Sequence, residues 1–137
     1  MQTHTPSTPS SKGALWSGRL MSGVVVLFLL FDGGIKLVPL EIVTEASAQL
    51  GLPATAAMAR TLGILAIVSA LLYAIPRTAV LGAILLTGYM GGTIATHLRV
   101  DSPLFTHTLF GLYLALLAWG GLYLREPRLR ALIPFRN

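Results

Sequence analysis

The chain has 137 residues, which suits a single domain, and 54% of them are hydrophobic while only 11% are charged. Soluble domains carry about 25% charged residues, so this composition excludes a water-soluble globule and predicts a membrane protein. The net charge is +5, but the basic residues stand at the ends of apolar runs, which indicates contacts with lipid head groups and not with nucleic acid. The absence of cysteine excludes disulfides, thiolate catalysis, iron–sulfur clusters and cysteine zinc sites.

A tail rich in threonine, serine and proline precedes the first apolar run. Its composition predicts that residues 1–15 form a disordered N-terminal tail. The first membrane span is expected at about residues 16–38. A small-residue triplet at 46–48 raises the alternative of a cleaved signal peptide. Charged residues separate that triplet from the apolar core, however, which favours an uncleaved helix.

A short amphipathic segment follows the first span. Pro39 suits the first turn of a new helix, and Gly51 suits its end. Glu41, Glu45 and Gln49 recur every four residues and share one face, while apolar residues occupy another. The segment is too short to cross a membrane, so the pattern predicts a helix lying at the membrane surface.

Three further spans are expected, at about residues 53–74, 78–98 and 103–124. Each has roughly 20 residues, enough to cross a hydrocarbon core of ~30 Å at 1.5 Å per residue. The fourth span opens with Ser102 as a predicted N-cap and Pro103 at the first helical position. The predicted fold is therefore an all-α bundle of four transmembrane helices, with a short interfacial helix after the first. This domain covers 16–126, and a basic cytoplasmic tail covers 127–137.

The basic residues divide unequally between the two sides of the predicted bundle. One side holds three of them, Lys36, Arg60 and Arg99, together with four of the five acids. By the positive-inside rule, both termini are expected in the cytoplasm. The side of the termini holds the other seven: Lys12, Arg19, Arg77, Arg125, Arg128, Arg130 and Arg136.

The third span is rich in glycine. Gly88 and Gly92 form a G-x-x-x-G step, and Gly91 stands beside Gly92. In lipid this spacing lets helix backbones approach closely, so the three glycines are predicted to pack inside the bundle. The alternative is a glycine-rich groove for a ligand.

Asp32 and Lys36 form the most informative charged pair. They are four residues apart, so they share a face of the first helix, inside the predicted span. Ionisable groups inside a membrane are functional candidates by default, because burying them in lipid is costly. In the alternative interpretation, Lys36 extends to the membrane interface and Asp32 merely accompanies it.

A second polar cluster is expected where the third and fourth spans meet. His97, Arg99, Asp101 and His107 lie within eleven residues, and Tyr89 shares the helical face of His97. Two histidines at one boundary could shuttle protons or ligate a metal or haem. Their spacing fits no metal motif and no third ligand is evident, so no metal site is predicted and haem is disfavoured. Histidines that are simply hydrogen-bonded at an interface are the alternative.

Arg60 lies several residues inside the second span. It is predicted to pair with Glu41, Glu45 or Asp32, which would tie the surface helix to the bundle. Binding of an anion or substrate is the alternative. The sequence shows no Ser-His-Asp set, phosphate-binding loop or dinucleotide fingerprint, so catalytic residues stay unassigned and it is open whether the chain is an enzyme.

Four stretches of the sequence carry a family resemblance: 31–37 (FDGGIKL), 75–92 (IPRTAVLGAILLTGYMGG), 95–100 (ATHLRV) and 119–130 (WGGLYLREPRLR). In these stretches the chain resembles the DoxX-like group of small bacterial membrane proteins. The resemblance covers all four spans and leaves out only the N-terminal tail. It implies a four-helix membrane fold and a place in the cytoplasmic (inner) membrane of a bacterium.

The resemblance also implies a redox connection. The wider family takes its name from a subunit of a thiosulfate:quinone oxidoreductase, and some members are linked to membrane oxidoreductase complexes. The expected function is thus an accessory subunit of such a complex, acting at the outer face, with quinone as the candidate cofactor and redox subunits as partners. The lack of cysteine argues against thiol-based sulfur chemistry by this chain alone. The alternative is a non-enzymatic protein that binds lipid or a partner helix through the glycine-rich third span. A second copy of the chain is a further candidate partner.

Overall fold

A computed structural model describes residues 11–38, 41–133 and 135, of which 82% are helical and none lies in a strand. Four segments are long and apolar enough to cross a membrane. This confirms the predicted all-α bundle of four spans with a short helix after the first. The elements are α1 (Lys12–Leu37), α2 (Glu41–Gln49), α3 (Ala56–Ala74), α4 (Ala79–Arg99), a π-helical turn (Leu104–Thr108), α5 (Phe110–Arg125) and α6 (Pro127–Arg130).

The four long helices form a closed ring. Both α1 and α4 pack against α3 and α5, and α2 packs on α3. Short connections make successive long helices antiparallel neighbours. One end of the bundle therefore holds the first residues of α1 and α4 and the last residues of α3 and α5. We call it the terminal end. We call the other end, which holds α2 and the π-helical turn, the α2 end.

Helix α1 begins earlier than the sequence predicts. Its first residue is Lys12, because the Ser11 side chain accepts a hydrogen bond from the Ala14 amide at 3.1 Å and caps the helix. Residues 12–15, predicted as part of the tail, are thus helical. Residues 1–10 of that tail, and Pro39 with its predicted role at the start of α2, lie outside the described residues.

The fourth span opens differently from the prediction. Its first turn is π-helical, with the Thr108 amide bonded to the Pro103 carbonyl at 3.1 Å and the Leu109 amide to the Leu104 carbonyl at 2.9 Å. Ser102 is not the N-cap, because its hydroxyl lies 3.0 Å from Nδ1 of His97 instead.

The predicted tail at 127–137 begins as part of the folded structure. Its first residues form the short helix α6, in which the Glu126 side chain accepts from the Arg128 amide at 3.2 Å. Leu129 of this helix is buried against the core. Residues 134, 136 and 137 of the same segment lie outside the described residues.

A buried chain of hydrogen bonds joins three long helices near the terminal end. Nε of Arg125 donates to the Ser22 hydroxyl at 3.1 Å, and the Tyr73 hydroxyl donates to the Ala118 carbonyl at 2.6 Å. The Ser22 and Tyr73 oxygens are 2.7 Å apart, so the Ser22 hydroxyl completes the chain by donating to Tyr73. The Ser22 and Tyr73 hydroxyls thereby each donate and accept one hydrogen bond, as burial of polar groups requires.

The long helices approach most closely at glycines. A Cβ on Gly18 of α1 would lie 2.7 Å from the Gly121 carbonyl oxygen of α5, and one on Gly33 would lie 2.9 Å from the Gly63 oxygen of α3. At Gly82 of α4 a Cβ would lie 2.1 Å from the Tyr73 amide nitrogen of α3. These contacts are the small-residue packing that membrane helices use.

Gly88, Gly91 and Gly92 do not serve the packing role predicted for them. A Cβ at any of the three would meet no atom within 4 Å among the described residues. The reason is the orientation of α4, which turns Leu86 and Met90 into the core and leaves these glycines on exposed faces.

Two α4 glycines should therefore respond oppositely to the same substitution. We expect Gly82→Ala to lower the free energy of unfolding by about 3 kcal/mol or more, because its methyl group overlaps the α3 backbone. Gly91→Ala adds its methyl group in open space and should leave stability unchanged or slightly raised. Melting temperatures of both variants in the same detergent test this, and equal melting temperatures would contradict the close α3–α4 contact.

Candidate functional site

A cavity of about 640 Å³ lies at the α2 end, bounded by α1, α2, α3 and α4. We call it the α2 cavity. Most of its wall is apolar, contributed by Ile35, Ile42, Val43, Leu50, Leu52, Leu62 and Leu65. Polar groups enter this wall from α1 and α4, together with Ser47 of α2.

The polar residues reach the cavity because of their helical spacing. Asp32 and Lys36 are one turn apart on α1 and so present adjacent side chains. On α4, Tyr89, Thr93 and His97 recur every four residues and line the opposite wall. The α4 wall is completed by Gly88, Gly92 and Thr96.

Lys36 is the centre of the polar group. Its Nζ lies 2.5 Å from Oδ2 of Asp32 and donates to the Tyr89 hydroxyl at 3.2 Å. The ammonium also lies 5.9 Å from the centroid of the Tyr89 ring, within cation–π range. The side chains of Lys36 and Asp32 are only 21% and 26% exposed. The pair brings two opposite charges into the cavity wall with no net charge.

Hydrogen-bonding capacity remains at this group. A lysine ammonium has three donors, and among the described residues two of them have acceptors, Asp32 and Tyr89. The Tyr89 oxygen accepts from Lys36, while its own O–H has no acceptor within the described part of the chain. The cavity wall therefore offers donors from Lys36 and Tyr89 beside an acceptor carboxylate.

His97 and His107 lie close together where the third and fourth spans meet. Their ring centroids are 6.0 Å apart, in an edge-on arrangement. His97 lines the cavity and bonds Ser102, whereas His107 is exposed, lies outside the cavity and bonds the neighbouring Thr106 hydroxyl at 2.8 Å. No group of three or more histidine, aspartate or glutamate side chains could hold a metal among the described residues.

The two arginines of the predicted site are used differently. Nε of Arg60 donates to the Leu37 carbonyl at 3.4 Å, and its predicted ion pair is absent within residues 11–38 and 41–133. Asp32 is taken by Lys36, and the α2 acids are exposed, which leaves Arg60 a backbone partner. Nη2 of Arg99 donates to the Leu50 carbonyl at 2.8 Å and so ties the segment after α2 to the last turn of α4.

The candidate residues thus separate into two sets. Asp32, Lys36, Tyr89, His97, Gly88 and Gly92 line one cavity, while Arg60, Gly91, Arg99 and His107 lie outside it. The contribution of α2 was not foreseen from the sequence. Its signal was the helical spacing of Val43, Ser47 and Leu50, which places them together on the face turned towards the bundle.

Comparison with known proteins agrees with the fold. The model of the DoxX-like family matches residues 20–121. The chain belongs to the DoxX-like family. Every residue that lines the α2 cavity falls within the matched part of this DoxX-like chain. No curated protein and no solved structure matches the chain.

The Asp32–Lys36 pair of this DoxX-like protein should behave as a coupled unit. Lys36→Met leaves a largely buried carboxylate without its cation, so we expect it to lower the free energy of unfolding by about 1–3 kcal/mol. Asp32→Asn combined with Lys36→Met removes both charges and should restore most of that loss. Melting temperatures in detergent measure the effect.

Lys12→Met is the matched control, because Lys12 is an exposed lysine of the same helix. It should have no effect on the melting temperature. A Lys36→Met protein as stable as the parent, or a double variant less stable than the single one, would show that the two charges are not coupled.

Proposed function

We propose that this chain binds a membrane quinone in the α2 cavity and acts as an accessory subunit of a membrane oxidoreductase complex. The observation that carries the proposal is the union of an apolar volume of about 640 Å³ with the Asp32–Lys36–Tyr89 group. Ligand cavities in proteins span roughly 300–1,000 Å³ and combine apolar walls with a few placed polar groups. Membership of the DoxX-like family supports the redox connection.

The polar group suits a neutral head group. Quinones present two carbonyl acceptors, and Lys36 and Tyr89 supply donors of the kind that these oxygens require. The Asp32 carboxylate lies beside Lys36 and would accept a hydrogen bond from a hydroxyl of the reduced form. Because Asp32 already neutralises Lys36, the wall has no excess positive charge to attract a phosphate.

The apolar walls suit the isoprenoid tail. Leu62 and Leu65 of α3 face Ile42 and Val43 of α2 across the cavity. Gly88 and Gly92 have no side chain to close the α4 wall, and both are exposed. The cavity therefore reaches the outer surface of the bundle at these glycines, where a long tail can leave towards lipid.

The polar residues of the α2 cavity have different roles in the proposed quinone site. A bound quinone supplies two-electron, two-proton redox chemistry. Lys36 and Tyr89 orient the head group through hydrogen bonds, and the Asp32 carboxylate is the group placed to hold a proton. Electrons come from partner subunits, which is why an accessory role is proposed and not a complete enzyme.

Filling the cavity at its glycines should prevent quinone binding without harming the fold. Gly88→Leu and Gly92→Leu each add a side chain at the cavity wall, at positions where a Cβ meets no described atom within 4 Å. We expect each variant to weaken binding of a short-chain quinone, decylubiquinone, about tenfold or more. Equilibrium titration in lipid nanodiscs measures the affinity.

Gly91→Leu is the matched control, since Gly91 is equally unobstructed but does not line the cavity. It should bind the quinone like the parent protein. Unchanged affinity in the two cavity variants, or an equal loss in Gly91→Leu, would contradict quinone binding at this place.

A second candidate function is docking of a partner helix on α4. A Cβ added at Gly88, Gly91 or Gly92 would meet no described atom within 4 Å, so these positions leave room for the backbone of another chain. The same variants separate the two functions. Docking predicts that Gly91→Leu abolishes association with the partner while quinone affinity stays unchanged.

We also propose that the chain lies in the bacterial cytoplasmic membrane with both termini in the cytoplasm. The charge distribution supports this orientation. The α2 end holds Asp32, Glu41, Glu45 and Asp101. The terminal end holds six of the described basic residues, Lys12, Arg19, Arg77, Arg125, Arg128 and Arg130.

The orientation can be tested with single cysteines, because the chain has none of its own. Gln49→Cys marks the α2 end and Ala131→Cys marks the terminal end, and both positions are exposed. On intact spheroplasts we expect a membrane-impermeant maleimide to label Gln49→Cys at once and Ala131→Cys only after permeabilisation. The reverse pattern would place the termini outside.

A further inference from the structure

A second cavity, of about 340 Å³, lies at the terminal end of the bundle, away from the α2 cavity. We call it the terminal cavity. Its polar lining is Arg19, Ser22 and Arg125, and no carboxylate lines it. Gly23, Val26, Leu27 and Ala74 form the apolar part of the wall.

Arg125 is held in place by the bundle. Its Nε donates to the Ser22 hydroxyl at 3.1 Å, and its guanidinium carbon lies 5.4 Å from the centroid of the buried Tyr73 ring. These contacts fix the plane of the guanidinium. Its terminal nitrogens have no hydrogen-bond acceptor among the described residues, although a guanidinium carries four N–H groups there.

Arg19 adds a second, exposed guanidinium at the same cavity. Among the described residues it makes no hydrogen bond or ion pair, and its guanidinium carbon lies 5.5 Å from the centroid of the Trp16 ring. Glu126 is the single acid at this end, and its carboxylate accepts from the Arg128 amide. The positive charge of the terminal cavity is therefore not balanced by a carboxylate within the described chain.

We propose that the terminal cavity binds the phosphate group of an anionic membrane lipid between Arg19 and Arg125. Guanidinium groups bind phosphate through paired, charge-assisted hydrogen bonds, and a pre-positioned Arg125 loses little freedom in doing so. This site is distinct from the proposed quinone site. Arg19 and Arg125 also lie outside the residues matched by the family model, which end at 20 and 121.

The apolar wall identifies the ligand as a lipid and not a soluble phosphate ester. Val26 and Leu27 continue along α1 from the arginine end towards the middle of the span. They provide a surface for the glycerol backbone and the first carbons of an acyl chain. A small soluble phosphate compound would leave this apolar surface uncovered.

Native mass spectrometry of the whole chain in detergent can measure lipid retention directly. The probes are phosphatidylglycerol, which is anionic, and phosphatidylcholine, which has no net charge. We expect selective retention of phosphatidylglycerol. Arg19→Gln removes a guanidinium that makes no hydrogen bond in the described chain, and Gly23→Leu fills the cavity where a Cβ meets no atom within 4 Å. Each should weaken phosphatidylglycerol binding about tenfold or more.

Each variant has a matched control. Arg77→Gln removes one charge from the same end of the bundle but outside the cavity, and Gly13→Leu adds a leucine to α1 at another open position. Both should retain phosphatidylglycerol like the parent chain. Full retention by Arg19→Gln and Gly23→Leu, or an equal loss in the controls, would overturn the proposal.

A separate arm identifies the source of the phosphate. Glycerol 3-phosphate at matched concentration should neither displace phosphatidylglycerol nor bind on its own. If it binds with the same dependence on Arg19, the lipid assignment is overturned in favour of a soluble phosphate ester. Quinone titration of the Arg19→Gln protein should be unchanged, so the failure of one proposed site does not imply failure of the other.

Discussion

The bundle depends on direct contact between helix backbones at glycine. Inside a bilayer the lipid tails are as apolar as leucine, so helices gain little from burying apolar surface and associate through close packing and hydrogen bonds. Here α1 supplies two such contacts, Gly18 with Gly121 of α5 and Gly33 with Gly63 of α3. Helix α1 therefore holds both neighbours, one near each end of the bundle.

The same constraint explains where the cavities lie. Tight contacts at Gly33 draw α1 and α3 together, so the α1 side chains next to Gly33 and one turn further along must occupy the space beside the contact. Those side chains include Asp32 and Lys36, which line a cavity covered by α2. On α4, glycines that border this cavity leave space, whereas Gly82 closes a helix contact. Glycine thus allows both the close helix contacts and the open space at the α4 wall of the cavity.

The sequence pattern correctly predicted the features that depend on one helix alone. The four apolar spans follow from hydropathy, the Asp32–Lys36 pair from its four-residue step, and the shared face of Tyr89 and His97 from an eight-residue step. These are local properties of one element. They require no knowledge of which helix lies opposite.

The predictions that were wrong concern features that depend on contacts between different elements. The glycines of the G-x-x-x-G step look like a packing motif. The rotation of α4 instead brings Gly82 against α3, while a Cβ on Gly88 or Gly92 would meet no described atom within 4 Å. Ser102 has the chemistry of an N-cap, but His97 from another element binds its hydroxyl. Arg60 does not form its predicted ion pair, because Asp32 pairs with Lys36 and the two acids of α2 are exposed. Each outcome is a competition between partners distant in sequence.

The two ends of α1 treat charge in contrasting ways. At the α2 end, Lys36 is paired with Asp32, so the cavity there presents hydrogen bonds without net charge. At the terminal end, Arg125 is positioned by the neutral hydroxyl of Ser22. No carboxylate of the described chain pairs with its guanidinium, which is therefore available to an anionic ligand. A paired cation favours a neutral polar ligand, while an unpaired, pre-positioned guanidinium favours an anion. Because one helix contributes to both walls, a substitution that shifts α1 along its axis changes both cavities together, whereas one confined to a side chain changes only one.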